Sequence, residues 1–241
     1  MMLLFDIGNT NTVCAIYDGE YIKIDRFDFD KEIDSMLNSL SKYNIFDIAI
    51  SSVVPNLTEK LIIKINQIFK INPFIITHKN SKLKLKVDSP EEVGTDRICN
   101  VKAAINTISN NCIVVDFGTA TTYDVINNKK EFIGGAIAPG IDVSAHYLIE
   151  KAALLKNTVL KFPSNIIGKN TKTNIQSGVM YSAIFSIEGM AENIKKQLIG
   201  DTNIILTGGF STLISPKLSI KHILKPNLTL DGIKTIYEEN N

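Results

Sequence analysis

Apolar residues follow two rhythms along this chain. Residues 2–7 (MLLFDI) and 12–17 (TVCAIY) are near-continuous apolar, β-favouring runs separated by Gly8, Asn9, Thr10 and Asn11. Short apolar runs bounded by turn residues predict buried strands. The turn DGEY at 18–21 leads to a third strand ending near Phe29, which completes a strand meander. The rhythm then changes, because Ile33, Met36, Leu37 and Leu40 recur at helical spacing. A strand at 47–53 (DIAISSV), a helix from Pro55 to about Phe69 and a strand at 73–77 (PFIIT) follow. A polar, lysine-bearing connection over 78–95 leads to a helix from about Asp96 to Ile108.

The second half opens as the first did. Residues 112–118 (CIVVDFG), 121–126 (TTYDVI) and 131–137 (EFIGGAI) predict a second three-strand meander with its last turn at NNKK. Helix signals run from Pro139 to about Leu155 and from Thr171 to about Leu198, then a strand at 203–209 (NIILTGG) and a helix from about Leu230 to Glu239. Asp6 and Asp116, Gly8 and Gly118, and Thr12 and Thr122 stand at one constant offset in two similar settings. A string of the form D-x-G-[NT]-x-x-T arises at a given position on the order of once in ten thousand by average residue usage. Internal duplication accounts for the pair better than chance. The reading is α/β, with two duplicated halves, 1–110 and 111–241.

Composition narrows the classes. Apolar residues make up 44% and charged residues 21% of the 241 residues, as in ordinary globular proteins. Lys+Arg 26 against Asp+Glu 25 gives a net charge of +1 with no basic stripe, which speaks against nucleic acid and membrane surfaces as partners. No apolar run is long enough for a membrane span, and Asp6 interrupts the apolar start too early for a signal sequence. Cys14, Cys99 and Cys112 form no CxxC pair, so three core thiols in a reducing, cytoplasmic setting are expected. His78, His146 and His222 match no metal spacing.

The repeated turn carries the chemistry. A glycine turn flanked by Asn or Thr brings backbone amides and hydroxyls close to phosphate oxygens. The aspartate just before it is a hard oxygen ligand suited to Mg²⁺. Two plain hairpins would favour Asp and Gly for turn geometry alone, but two copies in matching meanders favour a polyphosphate clamp. No GxxxxGK[ST] occurs and no GxGxxG follows a strand, so neither a P-loop nor a Rossmann reading is supported. PEEVGTDR (90–97) places Asp96 and Arg97 at a helix start. Asp96 there is either a residue that compensates the helix dipole or a general base, with Arg97 as a carboxylate clamp.

The duplicated meander resembles the superfamily of acetate and sugar kinases, Hsp70 chaperones and actin. In order, DIGNTNT, PEEVGTDR, DFGTATTYD, GGAIAPG (134–140), IGKNT (167–171) with QSG (176–178), and TGG resemble the type III pantothenate kinases from the N-terminus to about residue 210. That resemblance implies two ribonuclease H-like domains with ATP bound between them, and transfer of its γ-phosphoryl group to pantothenate. It implies ATP contacts from Asp6, Ile7, Gly8, Asn9, Thr10, Asn11, Thr12, Val13, Gly118 and Thr119, with Asp6 helping to hold Mg²⁺. Asp116 would hold a monovalent cation, K⁺ or NH₄⁺. Gly94, Thr95, Asp96, Arg97 and Thr171 would line the pantothenate site, with Asp96 as general base. The family is dimeric, and the long helix from Thr171 either makes that contact or only covers its own sheet. The chain departs from the family at Val87, where a tyrosine that touches pantothenate is common. A kinase of another small alcohol and an ATP-binding regulator without turnover are the alternatives.

Overall fold

Strands β1 (Met2–Ile7), β2 (Thr12–Tyr17) and β3 (Tyr21–Phe27) form the first meander, as the apolar runs predict. The structure is a computed structural model that describes residues 1–151 and 159–241. The chain divides into two units, residues 1–107 with 227–241 and residues 108–226.

In the first unit the meander is followed by α1 (Phe29–Leu40), β4 (Asp47–Ser52), α2 (Pro55–Phe69), β5 (Phe74–Ile75), β6 (Lys84–Leu85) and α3 (Thr95–Thr107). The sheet order is β3-β2-β1-β4-β5, with β1 antiparallel to β2 and parallel to β4. Alternate residues of β1 feed two cores. Leu3, Phe5 and Ile7 pack with Ile33, Leu37 and Leu40 of α1 and Leu61 and Ile65 of α2. Met2 and Leu4 pack on the other face with Ile98 and Cys99 of α3 and with Leu230, Ile233 and Ile236. Burial on both faces is why this strand reads as a continuous apolar run rather than an alternation.

The second unit holds β7 (Asn111–Phe117), β8 (Ala120–Ile126), β9 (Glu131–Pro139), α4 (Ile141–Lys151), α5 (Thr171–Lys195), β10 (Thr202–Gly208), the short α6 (Ser211–Ile214) and β11 (Ile223–Leu224). The expected end of the α4 helix, 152–155, lies outside the described residues. Within this unit the strand order is β11-β10-β7-β8-β9. It repeats the first unit strand for strand, since β7 is antiparallel to β8 and parallel to β10. Asn170 caps α5 by accepting from the Thr173 amide at 3.0 Å, and Thr173 returns a bond in a capping box. Ile175, Met180, Ile184, Ile187 and Ala191 form its buried face, while Phe185 stands exposed.

Two expectations need correction. The last helix, α7 (Leu228–Asn240), is expected with the second half but packs in the first unit, against α3. An amphipathic pattern says that a helix covers an apolar face, not which one. The third pair of the repeat also shifts. Thr12 lies opposite Ile7, whereas Thr122 lies opposite Asp116, and it is Thr121 that faces Phe117. The second turn is one residue shorter, so the structural equivalent of buried Thr12 is buried Thr121. A shift of one residue in a strand exchanges its two faces. Among the described residues no helix is long and apolar enough to cross a membrane.

Candidate active site

Strand β1 delivers Asp6 half-buried at its end, and the chain turns at once through Gly8, Asn9, Thr10 and Asn11. The turn closes on itself by the Gly8 amide donating to the Asn11 carbonyl at 3.1 Å, leaving Asn9, Thr10 and Asn11 exposed. Ile7 and Thr12 flank it with fully buried side chains, so Ile7 can offer a ligand only its backbone. Thr12 Oγ1 is buried without a hydrogen-bond partner among the described residues. Val13 is half-buried against the core.

Parallel pairing sets Ser51 of β4 opposite Asp6. Its hydroxyl donates to Asp6 Oδ1 at 3.2 Å and lies 3.1 Å from Thr95 Oγ1. Thr95 in turn closes the end of β4, accepting from the Ser52 amide and donating to the Ser52 carbonyl, both at 2.9 Å. Strand end, the Asp6 carboxylate and the first residue of α3 thus share one network. Motif reasoning passes over Ser51. Its signal is a pair of serines ending an otherwise apolar strand, since a polar side chain at a core position requires a partner.

Gly94 precedes α3 and accepts the Ile98 amide at 3.0 Å. A Cβ on Gly94 would come within 2.5 Å of Asp96 Oδ1, so glycine here makes room for that carboxylate. Asp96 Oδ1 accepts from the Arg97 amide at 2.8 Å. Burial raises the Asp96 carboxyl above the ordinary aspartate value, against the opposing pull of the Arg97 amide and charge. A carboxylate whose proton affinity is lifted by desolvation is better matched to taking a proton near neutral pH. Val87, in the polar connection ahead of this segment, is half-buried.

The second unit builds its own copy. Asp116 is half-buried at the end of β7, Phe117 is buried, and Gly118 and Thr119 are exposed. The Gly118 amide donates to the Ala120 carbonyl at 3.1 Å. Gly140 presses against this turn: its amide donates to the Thr119 carbonyl at 3.1 Å, and a Cβ there would sit 2.4 Å from that oxygen. The GGAIAPG motif is therefore the support of the turn. Gly208, in the TGG turn after β10, has φ +86, and a Cβ on it would fall 2.3 Å from Asp116 Oδ1. The positive φ and the close approach both require glycine. Asp116 and the TGG turn are thus adjacent.

Thr171, the first residue of α5, lines a cavity of about 710 Å³ in the second unit. Its walls come from β7, β8, β9, α4 and α5, including Tyr123, Ile141, Leu148 and Ile175, with hydroxyls from Thr121, Ser144 and Ser182 and, among the described residues, no charged group. The QSG residues brace the approach to α5, Gln176 donating to the Val159 carbonyl at 2.7 Å and Ser177 to that of Ile166. The structure therefore groups Asp6 to Val13 with Thr95 and Asp96 in one unit. In the other it groups Asp116, Gly118 and Thr119, with Thr171 on the cavity wall.

Comparison with known proteins bears on this arrangement. A family model described as type III pantothenate kinase matches residues 2–193. The chain is 38% identical over 253 residues to the type III pantothenate kinase of Geobacillus kaustophilus, covering 100% of this chain and 98% of that one. It is 39% identical over 246 residues to that of a Sulfurihydrogenibium species, covering 97% and 98%. Among solved structures it is similar to a Baf family protein from Campylobacter jejuni, with a TM-score of 0.65, 25% identity, and coverage of 99% of this chain and 98% of that one. It shares its fold with the ethanolamine utilization protein EutJ of Carboxydothermus hydrogenoformans, with a TM-score of 0.52 at 14% identity, covering 96% and 88%.

Proposed function

We propose a division of labour among the residues of this chain, which belongs to the type III pantothenate kinase family and phosphorylates pantothenate with ATP, the first step toward coenzyme A. The observation that carries the proposal is Asp96, half-buried at the start of α3 with its proton affinity raised and a glycine making room for its carboxylate. Asp96 accepts the proton of the pantothenate hydroxyl as that oxygen bonds to the γ-phosphorus and the bond to the β-phosphate bridging oxygen breaks, releasing ADP. Arg97 pairs with the pantothenate carboxylate, while Gly94, Thr95 and Thr171 complete the acceptor site.

The turn from Asp6 to Val13, with Gly118 and Thr119, contacts the phosphates. The exposed, glycine-containing turns, whose backbone amides and polar side chains reach solvent, support this reading. Among the described residues there is no cluster of three or more His, Cys, Asp and Glu that could hold a metal. A single carboxylate such as Asp6 fits Mg²⁺ that arrives with the nucleotide, because Mg²⁺ is commonly held by one or two carboxylates plus phosphates and water. Bound there, Mg²⁺ neutralises charge on the phosphates. Asp116, flanked by the backbone of Gly118 and Gly208, suits a monovalent cation, K⁺ or NH₄⁺, that takes its other ligands from neutral oxygens. The enzyme works as a homodimer in the cytoplasm, a reading that rests on its resemblance and on three buried, free cysteines.

The test is ADP release with Mg-ATP and pantothenate or a panel of sugars, with K⁺ or Na⁺ as the monovalent cation. Turnover specific for pantothenate and dependent on K⁺ is the expected result. Turnover indifferent to K⁺ removes the role given to Asp116, and sugar phosphorylation without pantothenate turnover overturns the acceptor assignment.

A further inference from the structure

Ser51 belongs to no motif that the function has absorbed, yet it is fully buried and its hydroxyl meets both Asp6 and Thr95. Its hydroxyl is 3.2 Å from Asp6 Oδ1 and 3.1 Å from Thr95 Oγ1. The protons settle the direction of this network. Ser51 donates to Asp6 Oδ1, which commits its single proton there. Thr95 then shares its own proton between Ser51 Oγ and the Ser52 carbonyl, while the Ser52 amide fixes Thr95 from the other side. Ser52 is itself held, its hydroxyl accepting from Thr58 Oγ1 at 2.6 Å and from the Val54 amide at 3.0 Å. The Ser51 hydroxyl therefore does not rotate freely. It is aimed at Asp6 by a chain of bonds that ends in backbone.

We propose that Ser51 is the positioning residue for the Asp6 carboxylate: it holds Oδ1 and ties that carboxylate to the first residue of α3. The proposal rests on the reading that Asp6 acts on Mg²⁺. A carboxylate pinned by a donor on one oxygen needs no reorientation when metal arrives, which is how an outer partner tunes a metal ligand. Thr95 adjoins Asp96, so the same hydroxyl links the residues given to metal and to proton in one rigid group.

The experiment measures ADP binding by calorimetry, once with Mg²⁺ and once with EDTA, for the native chain and for Ser51→Ala, Asp6→Asn and Cys99→Ala. The ratio of the two dissociation constants reports what metal adds to binding, independently of turnover. Ser51→Ala is expected to reduce that ratio about tenfold, the equivalent of one hydrogen bond to a charged group. Asp6→Asn should reduce it at least as far, and Cys99→Ala should leave it unchanged. Ser51→Cys keeps a weak donor in nearly the same volume and should regain some of the ratio, while thermal melting of each variant detects loss of fold. A native ratio in Ser51→Ala beside a reduced one in Asp6→Asn overturns the role of Ser51 alone, as does a Cys variant no better than Ala. A native ratio in Asp6→Asn instead overturns the metal reading on which both stand.

Discussion

Substituting Gly232 by alanine would push apart a pair of helices that now touch backbone to backbone. Gly232 lies in α7, and a Cβ on it would fall 1.9 Å from the Cys99 carbonyl oxygen, 2.4 Å from its carbon and 2.7 Å from its Cα. Real Cβ atoms essentially never come within 3.0 Å of another heavy atom, so α7 must retreat from α3 by about 1.1 Å. No flexible side chain can yield here, because the obstacle is backbone. Overpacking of this kind costs about 1–3 kcal/mol. The retreat also stretches the 2.9 Å bond from Thr229 Oγ1 to buried Asn100 Oδ1 beyond bonding range, about 1 kcal/mol more. Against this, alanine in a helix interior is better than glycine by about 1 kcal/mol. The contact outweighs the propensity, and a net loss of about 1–3 kcal/mol remains. At about 2–4 °C per kcal/mol for a chain of this size, Tm falls by about 2–12 °C in a thermal melt followed by circular dichroism. A Tm equal to or above that of the native protein would refute the reasoning, since propensity alone would then have decided the outcome.

Asp96→Asn is expected to lower kcat by about 10²–10⁴ with the KM for ATP little changed. In the native enzyme, the acid limb of the kcat/KM profile should lie above the ordinary aspartate value of 3.8, because burial raises the Asp96 pKa and activity is lost as pH falls through it; an acid limb retained unchanged in Asp96→Asn would assign it to another group. Gly208→Ala forces a side chain into a positive φ and onto Asp116 Oδ1. Titrating activity with K⁺ should show the half-saturating concentration raised several-fold, and an unchanged value would separate Asp116 from the cation.

The strands and most helices were legible because burial on one or two faces leaves a period in the sequence. The duplication was legible too, and the two sheets repeat one order. What pattern could not supply was partnership. The apolar stripe of α7 is equally good against either half, and only the close approach of Gly232 to Cys99 shows which helix it seats on. The register of the second turn is misread from sequence because a constant offset assumes turns of equal length. β6 and β11, two residues each, are too short to carry a period. In the site, the aspartates and glycines could be found from turn chemistry and resemblance. Ser51 is marked only as a polar residue needing a partner, and which partners it has could not be read, because they lie 44 and 45 residues away and meet it through parallel pairing and the start of α3. The raised proton affinity of Asp96 is likewise a product of burial, which no local string encodes.

The return of α7 to the first unit has a consequence for how the molecule is made. Residues 108–226 are continuous and have all their own strands as soon as they leave the ribosome. The earlier half must wait: until residues 227–241 are synthesised, the faces of α3 and β1 that will receive Leu230, Ile233 and Ile236 stay open to water. A nascent chain thus carries uncovered apolar surface through the whole translation of its second unit, the interval in which chaperones bind and aggregation begins. Closing the first unit over so long a separation also makes it the slower of the two to finish, since distant contacts carry the larger loop-closure cost.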